Sequence, residues 1–204
     1  GDWERAADAF GALHAYQPGD VNWANNAGFF YRDAGVELET TARALCEASM
    51  GRVEDLESLA ELRLKAGVAP EAFGRPAERV LFEAAAAEHN ARATELLQRS
   101  YAAYLQASDL APDDVRIVND TALITTYYLH TDLDLAEQYL RRSIVMGEEQ
   151  LAPDFEREEV LSQSEIDALT EAYGDAYQNL GVLYLLHKDD PETAVGYFER
   201  SAKI

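Results

Sequence analysis

The last thirty or so residues of the chain carry the pattern of two helices joined by a tight turn, and this pattern constrains the fold more than any other feature. The first helix carries the apolar stripe Tyr177, Leu180, Gly181 and Tyr184. The second, after Asp189, Asp190 and Pro191, carries Ala194, Phe198 and Ser201. Gly181 is a small residue amid larger ones, so a second helix can approach it closely, and Phe198 fills the seam from the other side.

This pattern resembles the tetratricopeptide repeat (TPR), a helix–turn–helix unit of about 34 residues. The resemblance implies an all-α fold, an α-α superhelix of TPR-like helical hairpins in which each unit packs on its neighbours. It also implies a protein that binds partners rather than one that catalyses a reaction.

Two further segments resemble the same unit, and we predict a single TPR-like domain over residues 1–204. The recognisable hairpin pieces are residues 3–34, 98–146 and 172–204, with insertions at about 36–97 and 147–171. Their close-approach residues, Gly28, Ala122 and Gly181, lie 94 and 59 positions apart, much more than the family period. The chain opens in a second helix, which suggests a fragment of a longer protein.

The composition favours helices, because Ala, Leu and Glu are abundant while Gly and Pro are sparse. The stripe that starts at Trp23 ends near Gly35, and we predict separate helices at 36–50 and 53–66. One long helix is expected from Ala77 to Leu110. Ser164 is the predicted N-cap of the helix that leads into the last hairpin, with Asp167 as its partner.

The formal charge of −21 argues against nucleic acid and anionic membrane surfaces as partners. It favours a basic or neutral peptide or protein. No apolar run is long enough for a transmembrane helix, so no direct membrane insertion is expected. Cys46, the single cysteine, excludes an internal disulfide and is predicted to be buried in a helix.

No catalytic or phosphate-binding motif occurs in the chain. Its four histidines, His14, His89, His130 and His187, do not pair within one helical turn. With 38 acidic residues, a pair of carboxylates is no sign of acid–base chemistry. We therefore predict no cofactor, no metal and no catalytic residue. An enzyme or metal-dependent regulator is the least favoured alternative.

The resemblance implies a concave groove lined by the first helices, and it selects the candidate partner-binding residues. Asn26 and Asn179 precede the close-approach pairs, and Asp120 lies at the matching place in the central piece. Asn22 and Arg116 lie four residues earlier in their helices. An asparagine amide both donates and accepts, so it can hold an extended peptide backbone. The alternative is that these asparagines cap or bridge neighbouring helices.

The sequence thus predicts a non-catalytic module that binds a basic or neutral protein or peptide in a helical groove. The alternative is a scaffold or oligomerisation segment of a larger protein. In that case the exposed ends join other domains, and the long helix mediates a homodimer. Monomeric capture of a peptide would favour the first hypothesis.

Overall fold

The structure, a computed structural model, describes residues 2–153, 155 and 160–204. These residues form eight α-helices and no strand, which confirms the predicted all-α class. The helices are α1 (Asp2–Tyr16), α2 (Val21–Ser49), α3 (Leu56–Lys65), α4 (Pro76–Leu110), α5 (Val115–Ile124), α6 (Leu133–Leu151), α7 (Gln163–His187) and α8 (Pro191–Ser201). A 3-10 helix (Pro70–Ala72) precedes α4, and a π-helical turn (Thr125–Leu129) extends α5. None of the helices in this described part is long and apolar enough to cross a membrane.

Aspartate side chains cap the N-terminal ends of four of the helices. The carboxylates of Asp20, Asp55, Asp114 and Asp190 each accept a hydrogen bond from a backbone N–H in the first turn that follows. Each such cap satisfies an otherwise unpaired donor and stabilises its helix by about 1 kcal/mol. The negative charge also complements the helix dipole. Part of the acidic composition therefore serves to start helices.

The cap of α7 differs from the prediction. Ser162, not Ser164, is the N-cap: its backbone N–H donates to Glu165 Oε2 at 2.7 Å, and its hydroxyl accepts from the Glu165 N–H at 3.3 Å. These reciprocal bonds form a capping box. Asp167, the expected partner of Ser164, accepts instead from Gln163 Nε2 within the first turn.

The predicted helix at 36–50 does not exist as a separate element, because α2 continues through Gly35 without a break. Gly35 is a contact residue rather than a helix end. A Cβ atom at this position would lie 2.8 Å from Leu97 Cγ on α4, so only glycine permits this approach. The prediction mistook a close-packing glycine for a helix terminator.

The long helix expected from Ala77 to Leu110 is present as α4, and it lies antiparallel to α2. A second close approach between them is at Gly28, where an added Cβ would lie 2.9 Å from the Tyr104 ring. Ser100 strengthens this contact, since its hydroxyl donates to the Gly28 carbonyl at 2.7 Å. The two arms of the first hairpin are therefore α2 and α4. The extra residues between Gly28 and Ala122 lengthen these arms and add α3 at their far end.

The far end of this hairpin, residues 44–86, has a core of its own. Its buried members are Leu45, Ala48, Leu62, Val68, Phe82 and Ala86. Cys46 was predicted to be buried here but is exposed, because Leu45 and Ala48 occupy the inward positions of α2. In the predicted helix at 53–66, which corresponds to α3, Leu56 and Leu64 are exposed.

Two more hairpins follow, α5 with α6 and α7 with α8, and they share one core. Its fully buried aliphatic residues include Ala122, Leu140 and Leu180. The predicted close approach at Gly181 is present, as a Cβ there would lie 2.5 Å from the Phe198 ring. A second one joins the hairpins: α6 meets α7 at Gly147, where a Cβ would lie 2.4 Å from Tyr173 Cβ.

We expect Gly147→Ala to lower the free energy of unfolding by about 1–3 kcal/mol, because the new methyl group would overlap an atom fixed to the α7 backbone. The matched control is Gly196→Ala on α8, where a Cβ meets nothing within 4 Å. This control should gain about 0.5–1 kcal/mol from helix propensity. Urea denaturation of both variants measures the difference. Equal effects would contradict the close approach of α6 and α7.

Candidate functional site

The first helices of the three hairpins, α2, α5 and α7, meet around one cavity near their N-terminal ends. Ala24 on α2 packs with Ile117 on α5, and Asn119 on α5 bonds to Asn179 on α7. Their polar side chains form a common surface, which we call the first-helix face. It comprises Asn22, Asn25, Arg32 and Asp33 on α2, Asp113, Asp114, Arg116 and Asp120 before and within α5, and Glu171, Asp175 and Gln178 on α7.

Two of the predicted partner-binding residues, Asn22 and Arg116, line one cavity of about 520 Å³ at the N-terminal ends of α2 and α5. Neither side chain makes a strong contact with the rest of the protein. Asn22 is exposed and its amide donates to Asp20 Oδ1 at 3.1 Å. The Arg116 guanidinium lies 3.4 Å from Glu171 Oε2, a long contact between two exposed groups that contributes little.

Asn25 lines the same cavity, although the repeat pattern of the sequence indicates its neighbour Asn26 instead. The Oδ1 atom of Asn25 is fully buried and has no hydrogen-bond partner among the described residues. A buried acceptor without a donor costs roughly 1–3 kcal/mol. Asn25 Oδ1 is therefore an unsatisfied acceptor inside the protein, on a residue that also lines this cavity.

Asp120 lies at the middle of the first-helix face and is half-buried, and no described residue donates a hydrogen bond to its carboxylate. Burial raises its pKa to about 6, against the lowering effect of Arg32 and Arg116. The nearby carboxylates of Asp175 and Asp114 raise it further. The carboxylate is thus held in an unfavourable state that a bound cation would relieve.

Of the two arginines on this face, Arg32 is firmly paired. Arg32 donates from both Nε and Nη2 to Asp33 Oδ1, at 3.0 and 2.9 Å, and its guanidinium lies 4.6 Å from the centre of the Phe29 ring. Burial and the charge of Glu171 also raise the pKa of Asp175. The unbalanced groups on the face are therefore carboxylates, so the net local field is negative.

Asn179 takes the alternative role that was weighed for the asparagines, that of bridging neighbouring helices. Its side chain is buried, its Nδ2 donates to Asn119 Oδ1 at 2.9 Å, and its Oδ1 accepts from the Tyr127 hydroxyl at 2.9 Å. These bonds tie α7 to α5 and leave the amide with its neighbours rather than with a ligand. Asn26, at the matching position on α2, is half-buried.

Two histidines that are far apart in sequence come together at the other end of these helices. The rings of His130 and His187 have centroids 5.0 Å apart and line a cavity of about 650 Å³. His187 Nε2 lies 2.7 Å from the Thr126 carbonyl oxygen, which couples α7 to the π-helical turn. No cluster of three or more His, Cys, Asp or Glu able to hold a metal occurs among the described residues.

We expect Asn179→Ala to lower the free energy of unfolding by about 1–3 kcal/mol, because it leaves Asn119 and the Tyr127 hydroxyl without their partners. Asn26→Ala is the matched control and should change stability by less than about 0.5 kcal/mol. Urea denaturation at neutral pH distinguishes them. A neutral Asn179→Ala substitution would show that the bridge between α5 and α7 carries no stability.

We expect Asp120→Asn to stabilise the fold at pH 7 by about 1–3 kcal/mol, because it removes a carboxylate whose ionised form is destabilised by burial. The folded pKa of Asp120 lies above the ordinary value of 3.8, so the penalty is absent below that pH and complete above about pH 6. The gain should therefore grow between pH 4 and 6 in thermal melts. Asp109→Asn, an exposed change on α4, should show no such dependence, and a pH-independent gain would contradict the assignment.

No family model, no curated protein and no solved structure matches this chain. The geometry and charge of the first-helix face are therefore the grounds on which its role is argued.

Proposed function

We propose that this protein binds a basic segment of a partner protein on the first-helix face, without catalysing a reaction on it. The observation that carries the proposal is Asp120, a half-buried carboxylate at the centre of the face whose pKa is raised to about 6. An ionised carboxylate that the fold destabilises gains more from a cation than an exposed one does, because less of the attraction is lost to water.

The charge balance of the face supports a cationic partner. Arg32 is paired with Asp33, and Arg116 is close to Glu171, whereas no cation among the described residues forms an ion pair with Asp120 or Asp175. A lysine or arginine side chain brought to Asp120 would pair with it and reduce its repulsion with Asp175. The acidic surface as a whole would also attract a basic segment from a distance.

The arrangement of the helices supports an extended or irregular ligand rather than a small molecule. The face runs across three helices, and two cavities, of about 520 and 230 Å³, open along it rather than one enclosed pocket. We infer that the hairpins stack as in a TPR-like superhelix and that the face is its concave side. In that arrangement the candidates Asn22, Asn26, Arg116 and Asp120 are contacts, while Asn179 supports them from beneath.

We expect a short lysine-rich peptide to bind this protein at pH 7 and a glutamate-rich peptide of the same length not to bind. Asp120→Asn should weaken binding about tenfold, which corresponds to about 1.4 kcal/mol. Binding by the wild-type protein should fall about tenfold between pH 7 and pH 5, because Asp120 becomes protonated below its pKa. Isothermal titration calorimetry measures both effects.

The control for this experiment is again Asp109→Asn, which changes the net charge equally but lies outside the face. If it weakens the lysine-rich peptide as much as Asp120→Asn does, the attraction comes from overall charge and the face has no special role. A pH dependence that persists in Asp120→Asn would likewise assign the titrating group elsewhere.

A further inference from the structure

The smaller cavity on the first-helix face, of about 230 Å³, has an aromatic wall beside a carboxylate, and we call it the tyrosine cavity. It is lined by Leu123, Tyr127, Tyr128, Asp175, Gln178 and Asn179. None of these six residues is cationic. The cavity adjoins the centre of the face, where the charge of Asp175 adds to the effect of burial on the pKa of Asp120.

The two tyrosines are adjacent in the chain and lie in the π-helical turn that extends α5. A hydrogen bond from the His130 N–H to the Thr125 carbonyl oxygen, at 2.8 Å, closes this turn. The Tyr127 hydroxyl donates to Asn179 Oδ1 at 2.9 Å, which fixes its ring against α7. Single π-helical turns are rare in proteins and occur often at functional sites. Here the turn brings both tyrosine side chains to one cavity.

The two tyrosine rings form a pair that can receive a cation. Their centroids are 6.3 Å apart and their planes are tilted by 42°. A cation can therefore lie within about 6 Å of both centroids at once, which is the range of cation–π attraction. Burial, together with Tyr128 and the charge of Asp175, raises the pKa of Tyr127 to about 12, so its hydroxyl stays protonated at pH 7. The exposed Asp175 contributes a negative charge to the same cavity wall.

A quaternary ammonium fits this wall better than an ordinary lysine ammonium does. The lysine ammonium is compact and strongly hydrated, and its three N–H groups require acceptors. A trimethylated lysine keeps the positive charge but has no N–H group, so less hydration is lost when it moves against aromatic rings. Its methyl groups can also pack on Leu123.

We propose that the tyrosine cavity binds a trimethylated lysine side chain of the partner's basic segment, with its ammonium against Tyr127 and Tyr128 and beside Asp175. This inference rests on the proposed function and names a modified residue in the ligand. An unmodified lysine of the same segment pairs with Asp120, where its N–H groups meet a carboxylate.

The test compares three lysine-rich peptides that are identical except at one central position. This position holds lysine, lysine trimethylated at Nζ, or a neutral analogue in which a tert-butyl group replaces the trimethylammonium. Isothermal titration calorimetry with the full chain at pH 7 should show at least about fivefold tighter binding of the trimethylated peptide than of either other peptide. Choline alone should bind at least about tenfold more weakly than the trimethylated peptide, because it lacks the segment's other contacts with the face.

Variants of the cavity wall test the assignment. Tyr128→Leu should reduce the preference for the trimethylated peptide to less than about twofold, whereas Tyr128→Phe, which keeps a ring, should preserve it. Tyr16→Leu, at an exposed tyrosine on α1 outside the face, is the matched control and should also preserve it. Asp175→Asn should weaken the trimethylated peptide more than the neutral analogue, because only the former places a charge beside this residue. Thermal melts establish that each variant is folded.

Equal affinity for the trimethylated peptide and either other peptide, or a preference that persists in folded Tyr128→Leu, would overturn the trimethyllysine site. Binding of the lysine-rich peptide would then leave the proposed function intact. If Tyr128→Leu does not fold, equal weakening of the trimethylated and neutral peptides by Asp175→Asn overturns the site. Choline that binds as tightly as the trimethylated peptide would overturn the assignment to a protein segment. If none of the three peptides binds, both proposals fail.

Discussion

The close approach of paired helices at glycine is the constraint on which the rest of this structure depends. At Gly28, Gly35, Gly147 and Gly181 a single added carbon would come within 3 Å of a side chain on the facing helix. At these distances neighbouring helices exclude water over their whole contact, and dispersion adds to the hydrophobic effect. These contacts hold α4 against α2, α6 against α7 and α8 against α7.

The helical class, the long helix and the last hairpin could be predicted from sequence, because they depend on local spacing of apolar and small residues. The helix against which each of them packs could not be predicted. In the sequence, a glycine such as Gly35 looks the same whether it ends a helix or contacts another helix. Only its approach to Leu97 of α4 distinguishes the two roles. The contact at Gly147 could not be predicted for the same reason, since its partner Tyr173 lies on another helix, α7.

The orientation of the candidate site residues could not be predicted from the sequence either. Asn119 and Asp120 are adjacent, yet Asn119 turns inward to Asn179 while Asp120 stays on the face. Which of two neighbouring polar residues points inward depends on the rotation of the helix, and that is set by packing on both sides. Asn25 and Asn26 pose the same choice on α2. The sequence could indicate which turn of α2 carries the candidate side chains. It could not show that Asn25 Oδ1 lacks a hydrogen-bond partner, because that depends on the groups packed around it.

The separate core at the far end of the α2–α4 hairpin has a consequence for how the protein opens. Its members all lie between residues 44 and 86, and none belongs to the first-helix face. Cooperative units with their own core exchange their amide hydrogens independently of their neighbours. Local opening at this end would therefore break a different set of contacts from those that place Asn25 and Asp120.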